Sequence, residues 1–391
     1  AQPRNIIFTG SGTESINLAI FGIARKYSPP LQGGARGGIQ KNKSEIYNLK
    51  SAIPRGHVIT TQIEHHAVLH SIEALEKEGF EATYLKTDEY GLVTPEQVAA
   101  ALREDTLLVS IMYANNEIGT ILPIADIGRA ILKWKKKHNR KSNQPPFFHT
   151  DACQATNYLE IDVSKLHVDL MTVNGSKIYG PRGTGVLYKS DKIKLTPLIY
   201  GGGQESRLRA GTENVAGIVG LAKALEIARG AREEESKRLI ELRNYLTDEI
   251  MKRIPKVVIN GHPENRLPNN VNVSILDIEG EALLLYMDEY GVSMSTGSAC
   301  TSESLDPSHV ILAIGKPYEY AHGSMRFSLG RSTTKDDLDY MLELLPPIVE
   351  RLREISPVNL KLEKKLKNNQ PSMAAAFVED GKPHWMKERS E

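Results

Sequence analysis

The sequence predicts an α/β protein, with a large layer of mostly parallel strands covered by helices on both faces and a smaller α+β unit after it. Three observations predict it: strand-like and helix-like runs alternate from residue 4 to about 230, a long helical stretch occupies 213–252, and 391 residues suit two domains better than one.

The alternation opens with the β-branched run NIIFTG and a helix-like TESINLAIFGIARK, then HVITTQ, AVLHSIEALEKEG and EATYLK. It continues through LLVSIMYA, ADIGRAILKWKKK, FFHTDA, DLMTVNG and TGVLYKS. In the long stretch, EEESKRLIELRNYLTDEIMKRI carries apolar positions at helical spacing and leads out of the layer. We therefore expect a large domain over 1–235 and a small one over 236–358, the latter built from KVVING, NNVNVSIL, EALLLYMDEY, VSMST, SMRFSLG and a last helix ending at Pro357. Residues 27–54 combine Pro, Gly and polar side chains where a short connection suffices, and read as an exposed insertion. Residues 359–391 begin with a basic run and read as a solvated polar tail.

Composition excludes several classes. Lys and Arg total 49 against 48 Asp and Glu, so a net charge of +1 gives no electrostatic reason for a nucleic-acid partner or an acidic membrane surface. Two cysteines far apart, Cys153 and Cys300, cannot build a secreted disulfide framework and suit a reducing cytoplasm. No apolar run is long enough to suggest a membrane span, no charged-then-apolar stretch reads as a signal peptide, and no cluster reads as a metal site. The chain opens at Ala1 directly into a strand-like run, so further sequence upstream is expected.

Four segments carry chemistry. Lys177 in VNGSKIYGPRGTG lies between a strand and a Gly/Pro-rich turn, where a lysine amine can form a Schiff base with an aldehyde. Asp151 ends the strand of FFHTDACQA, where a carboxylate can face a protonated pyridine nitrogen and make the ring an electron sink; alone it would read as a capping carboxylate. TGSGTES joins the first strand to the first helix, so that Gly12 and Thr13 stand where small residues and free helix N–H groups accept a phosphate. In EHHAV, His65 or His66 opens a helix, placing an imidazole at the same sheet edge to stack on a ring or move protons.

These segments, with YANNEIGT, GGGQESRLRAGTEN, STGSACTSESLDPSHV and MRFSLGRSTT, occur in the order seen in cysteine desulfurases of the NifS/IscS type. The chain resembles that family from about residue 4 to 357, and through it the class V aminotransferases of pyridoxal-phosphate fold type I, which implies a seven-stranded type of sheet. The resemblance implies that Lys177 holds pyridoxal 5'-phosphate covalently, that Asp151 bonds its ring nitrogen, and that Gln154 bonds its phenolic oxygen. It selects His65 over His66 for stacking and proton transfer, places Thr13 and Ser176 near the phosphate, and puts Asn116 against the cofactor or the substrate carboxylate. It further implies Arg326 as the clamp on that carboxylate, Thr212 as a contact to the neighbouring subunit's phosphate in a homodimer, and Cys300 as the nucleophile that takes sulfur from L-cysteine and leaves L-alanine. Cys153 has no such counterpart and reads as packing.

The chain departs from the family's usual pattern at Ser176, where many members have His, at Asn174, where Ser is frequent, and in the order of Gly and Ser in TGSG. Relatives also carry a DNAATTP-like segment upstream of the first motif. The expected activity is cysteine desulfuration that supplies an iron–sulfur scaffold or a tRNA-thiolation carrier. A selenocysteine lyase, another class V aminotransferase and a non-catalytic fragment of the fold are the alternatives.

Overall fold

The computed structural model describes residues 1–28, 55–297 and 307–356, which form two compact units. Unit 1 comprises Ala1–Leu85, Thr94–Tyr113 and Pro123–Ile227; unit 2 comprises Lys86–Val93, Ala114–Leu122 and the described residues from Ala228 on.

Unit 1 is a seven-stranded sheet in the order β1-β7-β6-β5-β4-β2-β3. Its strands are β1 (Ile6–Thr9), β2 (His57–Thr61), β3 (Glu81–Leu85), β4 (Thr106–Ser110), β5 (Phe147–Asp151), β6 (Leu170–Asn174) and β7 (Gly185–Lys189). The pairs β2–β3, β2–β4, β4–β5 and β5–β6 are parallel. Strand β7 is antiparallel to both β6 and β1, so β1 runs the same way as β6. Every strand that leads into a candidate motif thus ends at one edge of the sheet, where ligands bind in open parallel sheets.

The crossovers are α1 (Gly12–Tyr27), α2 (His66–Lys77), α3 (Pro95–Ala101), α4 (Ile124–Lys137) and α5 (Val163–Leu166). Apolar residues repeat at helical spacing along α1, and Ile16, Ile20 and Ile23 are fully buried in the layer with Ile59, Leu69, Ile72, Leu108, Phe147 and Phe148. Burying each such side chain contributes about 1.5–3 kcal/mol, which is what holds helix to sheet. Helix α1 takes in Tyr27 and is closed by Ser28; residues 29–54 of the expected insertion lie outside the described residues.

Polar ties cross the sheet as well. His57 bridges Thr106 Oγ1 (2.9 Å) and Thr83 Oγ1 (2.8 Å), and His149 bridges Ser110 Oγ (2.9 Å) and Thr172 Oγ1 (3.0 Å). Burial pushes both imidazoles down to about 4, so they are neutral and each can donate once and accept once.

The long stretch forms α6 (Val215–Arg253). Unit 2 carries a four-stranded antiparallel sheet, order β10-β11-β9-β8, from β8 (Val257–Ile259), β9 (Asn270–Ile275), β10 (Ser295–Thr296) and β11 (Ser324–Ser328). Its further helices are α7 (Gly280–Glu289), α8 (His309–Ala313), α9 (Tyr318–His322) and α10 (Lys335–Ile355). Helix α10 starts on a capping box between Thr334 and Asp337 and buries Leu338, Met341, Leu342, Leu345, Val349 and Leu352. No described helix is long and apolar enough to cross a membrane.

The edge where β1, β6 and β7 meet is tightly closed. Thr9 and Asn174 both pair with Gly185, and a Cβ at 185 would lie 2.5 Å from the backbone C and O of Ser11. A Gly185→Ala substitution must displace the loop before α1; we expect a loss of about 1–3 kcal/mol of stability, read as a lower midpoint in urea at unchanged slope.

Candidate active site

Unit 1 assembles one group of residues at the C-terminal edge of its sheet. Ser11 caps α1 by accepting from Glu14 N at 3.1 Å, which leaves Gly12 and Thr13 in the first turn, where N–H groups have no helical carbonyl to reach. Glu14 turns back over this loop, accepting from Gly10 N (2.8 Å) and from Arg209 Nε (2.9 Å). The loop's shape is therefore held by an ion pair as well as by the cap.

Asp151 is the last residue of β5 and only 7% exposed. Its Oδ1 accepts from Cys153 N at 2.9 Å, and its carbonyl accepts from Tyr113 N at 2.9 Å. Cys153 is the hub of the group: its Sγ would lie 2.8 Å from a Cβ placed on Gly12, and its thiol feels the charges of Asp151 and Lys177. Burial, then the Asp151 carboxylate, pushes that thiol well above the ordinary range, so it is not a thiolate at neutral pH.

Lys177 sits in a single 3-10 turn, Gly175–Ile178, directly after β6, with its side chain exposed. Asn174 caps this turn: its Oδ1 accepts from Ser176 N (3.2 Å) and from Ser176 Oγ (3.1 Å). His65 is the N-cap of α2, and its Nδ1 accepts from Ala67 N at 3.1 Å. In the neutral ring the proton is thereby assigned to Nε2. Gln154 is half-buried in the turn after Asp151. Thr212 is exposed in the loop before α6, beside Gly211 and Glu213, which line a small cavity with Phe8, Thr9, Gly10 and Gly185.

Unit 2 carries a second group. Asn116 follows Asn115, whose Oδ1 accepts from Glu117 N (2.8 Å) and Ile118 N (3.0 Å) and so forms the NNEIG turn. Arg326, in β11, donates from Nη1 to Asn116 O at 3.1 Å, which brings the two expected carboxylate contacts together. Its Nε is buried without a hydrogen-bond partner among the described residues, a donor that a carboxylate would satisfy. Glu117, 1% exposed, accepts from Ser308 Oγ at 2.5 Å, and Ser308 caps α8 by accepting from Ile311 N at 3.2 Å. Cys300 lies outside the described residues.

Three features went unread in the sequence: the Glu14–Arg209 pair, the Glu117–Ser308 bond, and Glu64. The last is fully buried in unit 1, accepting on Oε1 from Thr61 Oγ1 (2.8 Å) and Met112 N (2.9 Å). Its only local signal is a carboxylate wedged between a β-branched strand and a helix start.

The residues of unit 1 fit pyridoxal phosphate. They offer a strand-end carboxylate for a ring nitrogen, an exposed primary amine for an aldehyde, and a helix first turn with Thr13 for a phosphate. Among the described residues there is no cluster of His, Cys, Asp and Glu suited to a metal ion.

Comparison with known proteins leads in the same direction. Residues 35–341 match the family model described as aminotransferase class-V. The chain is 48% identical over 361 residues to the cysteine desulfurase IscS of Methanosarcina thermophila, covering 92% of this chain and 81% of that protein. Among solved structures it is similar to a NifS-like protein (TM-score 0.75, 34% identity, 90% of this chain and 84% of that one). It is similar also to SspA in complex with cysteine (TM-score 0.65, 34% identity, 84% and 82% covered).

Because burial and the neighbouring carboxylate keep Cys153 protonated, it should resist alkylation in the folded protein. Iodoacetamide treatment at neutral pH followed by peptide mass mapping is expected to find Cys153 unmodified before denaturation and modified after it.

Proposed function

This chain belongs to the aminotransferase class-V family, among its pyridoxal-phosphate-dependent cysteine desulfurases, and from that premise we propose that it converts L-cysteine to L-alanine and passes the sulfur on as a persulfide of Cys300. The observation that carries the reading is the convergence of Gly12, Asp151 and Lys177 around Cys153 at one sheet edge. The cysteine desulfurase name of its curated relatives favours this over a selenocysteine lyase or a non-catalytic fold.

Lys177 would hold the cofactor through its amine, Asp151 would face the ring nitrogen, Gln154 the phenolic oxygen, and Gly12, Thr13 and Ser176 the phosphate. When bound, the cofactor supplies an electron sink for charge developing on the substrate's Cα. His65, with its proton at Nε2, would stack on the ring and move protons, and the Lys177 amine, once the substrate's own amine has displaced it, would take or return the Cα proton. Arg326 would grip the substrate carboxylate with a planar guanidinium, with Asn116 beside it. Cys300 would then attack the substrate sulfur: an S–S bond forms, the Cβ–S bond breaks and leaves its electron pair on Cβ, one of the two thiol protons reaches Cβ to complete alanine's methyl group, and the other stays with the persulfide. Cysteine and one thiol thus become alanine and one persulfide, with no external oxidant.

The persulfide would be delivered to an acceptor protein in a reducing cytoplasm, an iron–sulfur scaffold or a tRNA-thiolation carrier. Thr212, exposed in its loop, suits a contact to a second copy, which supports a homodimer. The balanced charge of the chain offers nothing to a nucleic acid or an anionic membrane.

Purified protein incubated with pyridoxal phosphate and cysteine should release alanine and accumulate a persulfide that a reducing thiol discharges as sulfide. Lys177→Ala should lower turnover by about a hundredfold or more, and borohydride reduction with peptide mapping should place the cofactor's mass on Lys177. A Cys300→Ala variant that still delivers sulfur would remove the thiol from the mechanism, and a label on another lysine would overturn the assignment of 177.

A further inference from the structure

The mechanism above leaves one buried carboxyl of unit 1 without a task. Glu64 is 0% exposed and precedes His65, the cap of α2. Its Oε1 takes a hydrogen bond from Thr61, the last residue of β2, and another from Met112 N, beyond the end of β4. The next residue, Tyr113, donates its N–H to the carbonyl of Asp151 at 2.9 Å. One carboxyl oxygen therefore joins the end of β2, the start of α2 and the segment that grips the end of β5.

We propose that Glu64 is a positioning residue for the reaction, clamping the turn that carries His65 to the segment that fixes Asp151. The inference rests on the reading given under Proposed function, since it concerns where those two residues are held.

The protonation state follows from the surroundings. Burial lifts Glu64 to about 8; the Met112 and Thr61 bonds oppose this, and the charge of Asp151 adds to the lift. The ionisable groups of this neighbourhood are His65 at the start of α2, Asp151 at the end of β5, and, coupled to Asp151, His149 and Cys153, both held in their uncharged forms. At neutral pH Glu64 is therefore a neutral acid: its carbonyl oxygen accepts two hydrogen bonds, and it adds no charge beside Asp151. Above about 8 it ionises, and a second carboxylate then opposes the first.

The sign for folding is fixed by linkage. The folded state keeps this proton up to about 8, whereas the unfolded chain releases it near the ordinary 4.5. Between those values the folded state binds more protons, so this group makes stability fall as pH rises, and a glutamine removes that slope.

The experiment compares wild type, Glu64→Gln and Glu64→Ala. The melting temperature of each cofactor-free protein is followed from acid to alkaline pH, and kcat/KM for cysteine and the affinity for pyridoxal phosphate are followed over the same range. Glutamine keeps the carbonyl acceptor, so Glu64→Gln should restore most of what Glu64→Ala loses, a loss expected to be about tenfold or more in kcat/KM. It should also melt with a shallower decline between pH 5 and 8 and carry its alkaline loss of activity to higher pH. Superimposable pH profiles of wild type and Glu64→Gln, in both melting and turnover, would overturn the proposal, as would a Glu64→Ala enzyme with unaltered cofactor affinity and turnover. Should Glu64→Ala fail to fold, the glutamine comparison decides. A wild type that makes no alanine would defeat the functional reading instead, which the cofactor-free melting curves do not touch.

Discussion

A carboxylate held out of water at the end of a central strand is the constraint around which unit 1 is arranged. Burying an unpaired charge costs several kcal/mol or shifts its protonation, so the surroundings of Asp151 must either satisfy it or give way. They do both. Cys153 N donates to Oδ1, while Glu64, His149 and Cys153 are each pushed toward their uncharged forms by burial. The charge of Asp151 adds to the lift of Glu64 and of Cys153, while at His149 it opposes burial and burial prevails; a cationic ring nitrogen is the partner that such a buried carboxylate suits.

Sheet polarity explains why the partners of Asp151 come from distant sequence. Because β1, β2, β4, β5 and β6 all run the same way, their ends lie at the same edge, and the connections after four of them bring Thr13, His65, the segment of Tyr113 and Lys177 to Asp151 at the end of the fifth. The neutral histidines at 57 and 149 lock β2 to β3 and β4, and β5 to β4 and β6, by side-chain bonds within the layer. A net hydrogen bond is worth about 0.5–1.5 kcal/mol, so each histidine adds modestly to stability. Its larger effect is on register: a strand slipped by one residue would bury both ring nitrogens unsatisfied.

The strands and helices that bury apolar faces were legible from periodicity, because burial selects the same residue types wherever they occur: α1 with Ile16, Ile20 and Ile23, and β4 with Leu107, Leu108 and Val109. The seven-stranded layer and the smaller sheet follow the expected fold class. What periodicity does not carry is allegiance at long range. Residues 86–93 and 114–122 belong to unit 2 because Thr120 Oγ1 donates to Tyr90 O (2.6 Å) and Asn270 and Asn272 donate to Glu117 O (2.9 and 3.1 Å). Partners 30 to 155 residues apart leave no local mark. Glu64 was hidden for the same reason: besides Thr61 its donor is Met112, 48 residues on, a partner that leaves no local mark.

Asn174 and Ser176 make one physical unit. Asn174 spends Oδ1 on both the N–H and the hydroxyl of Ser176, which shapes the turn that presents Lys177. With that oxygen committed, Nδ2 is the donor that remains, and it lies 3.4 Å from where a Cβ on residue 12 would stand. The Asn174 Cβ would lie 3.3 Å from the same point and Cys153 Sγ 2.8 Å from it, inside the range real side-chain carbons avoid. An alanine at 12 would have to push aside the cysteine whose N–H binds Asp151, and would press against the Cβ of Asn174. Glycine at 12 and asparagine at 174 are therefore parts of one packing solution, in which the helix start meets the cap of the lysine turn and the cysteine that binds the strand-end carboxylate.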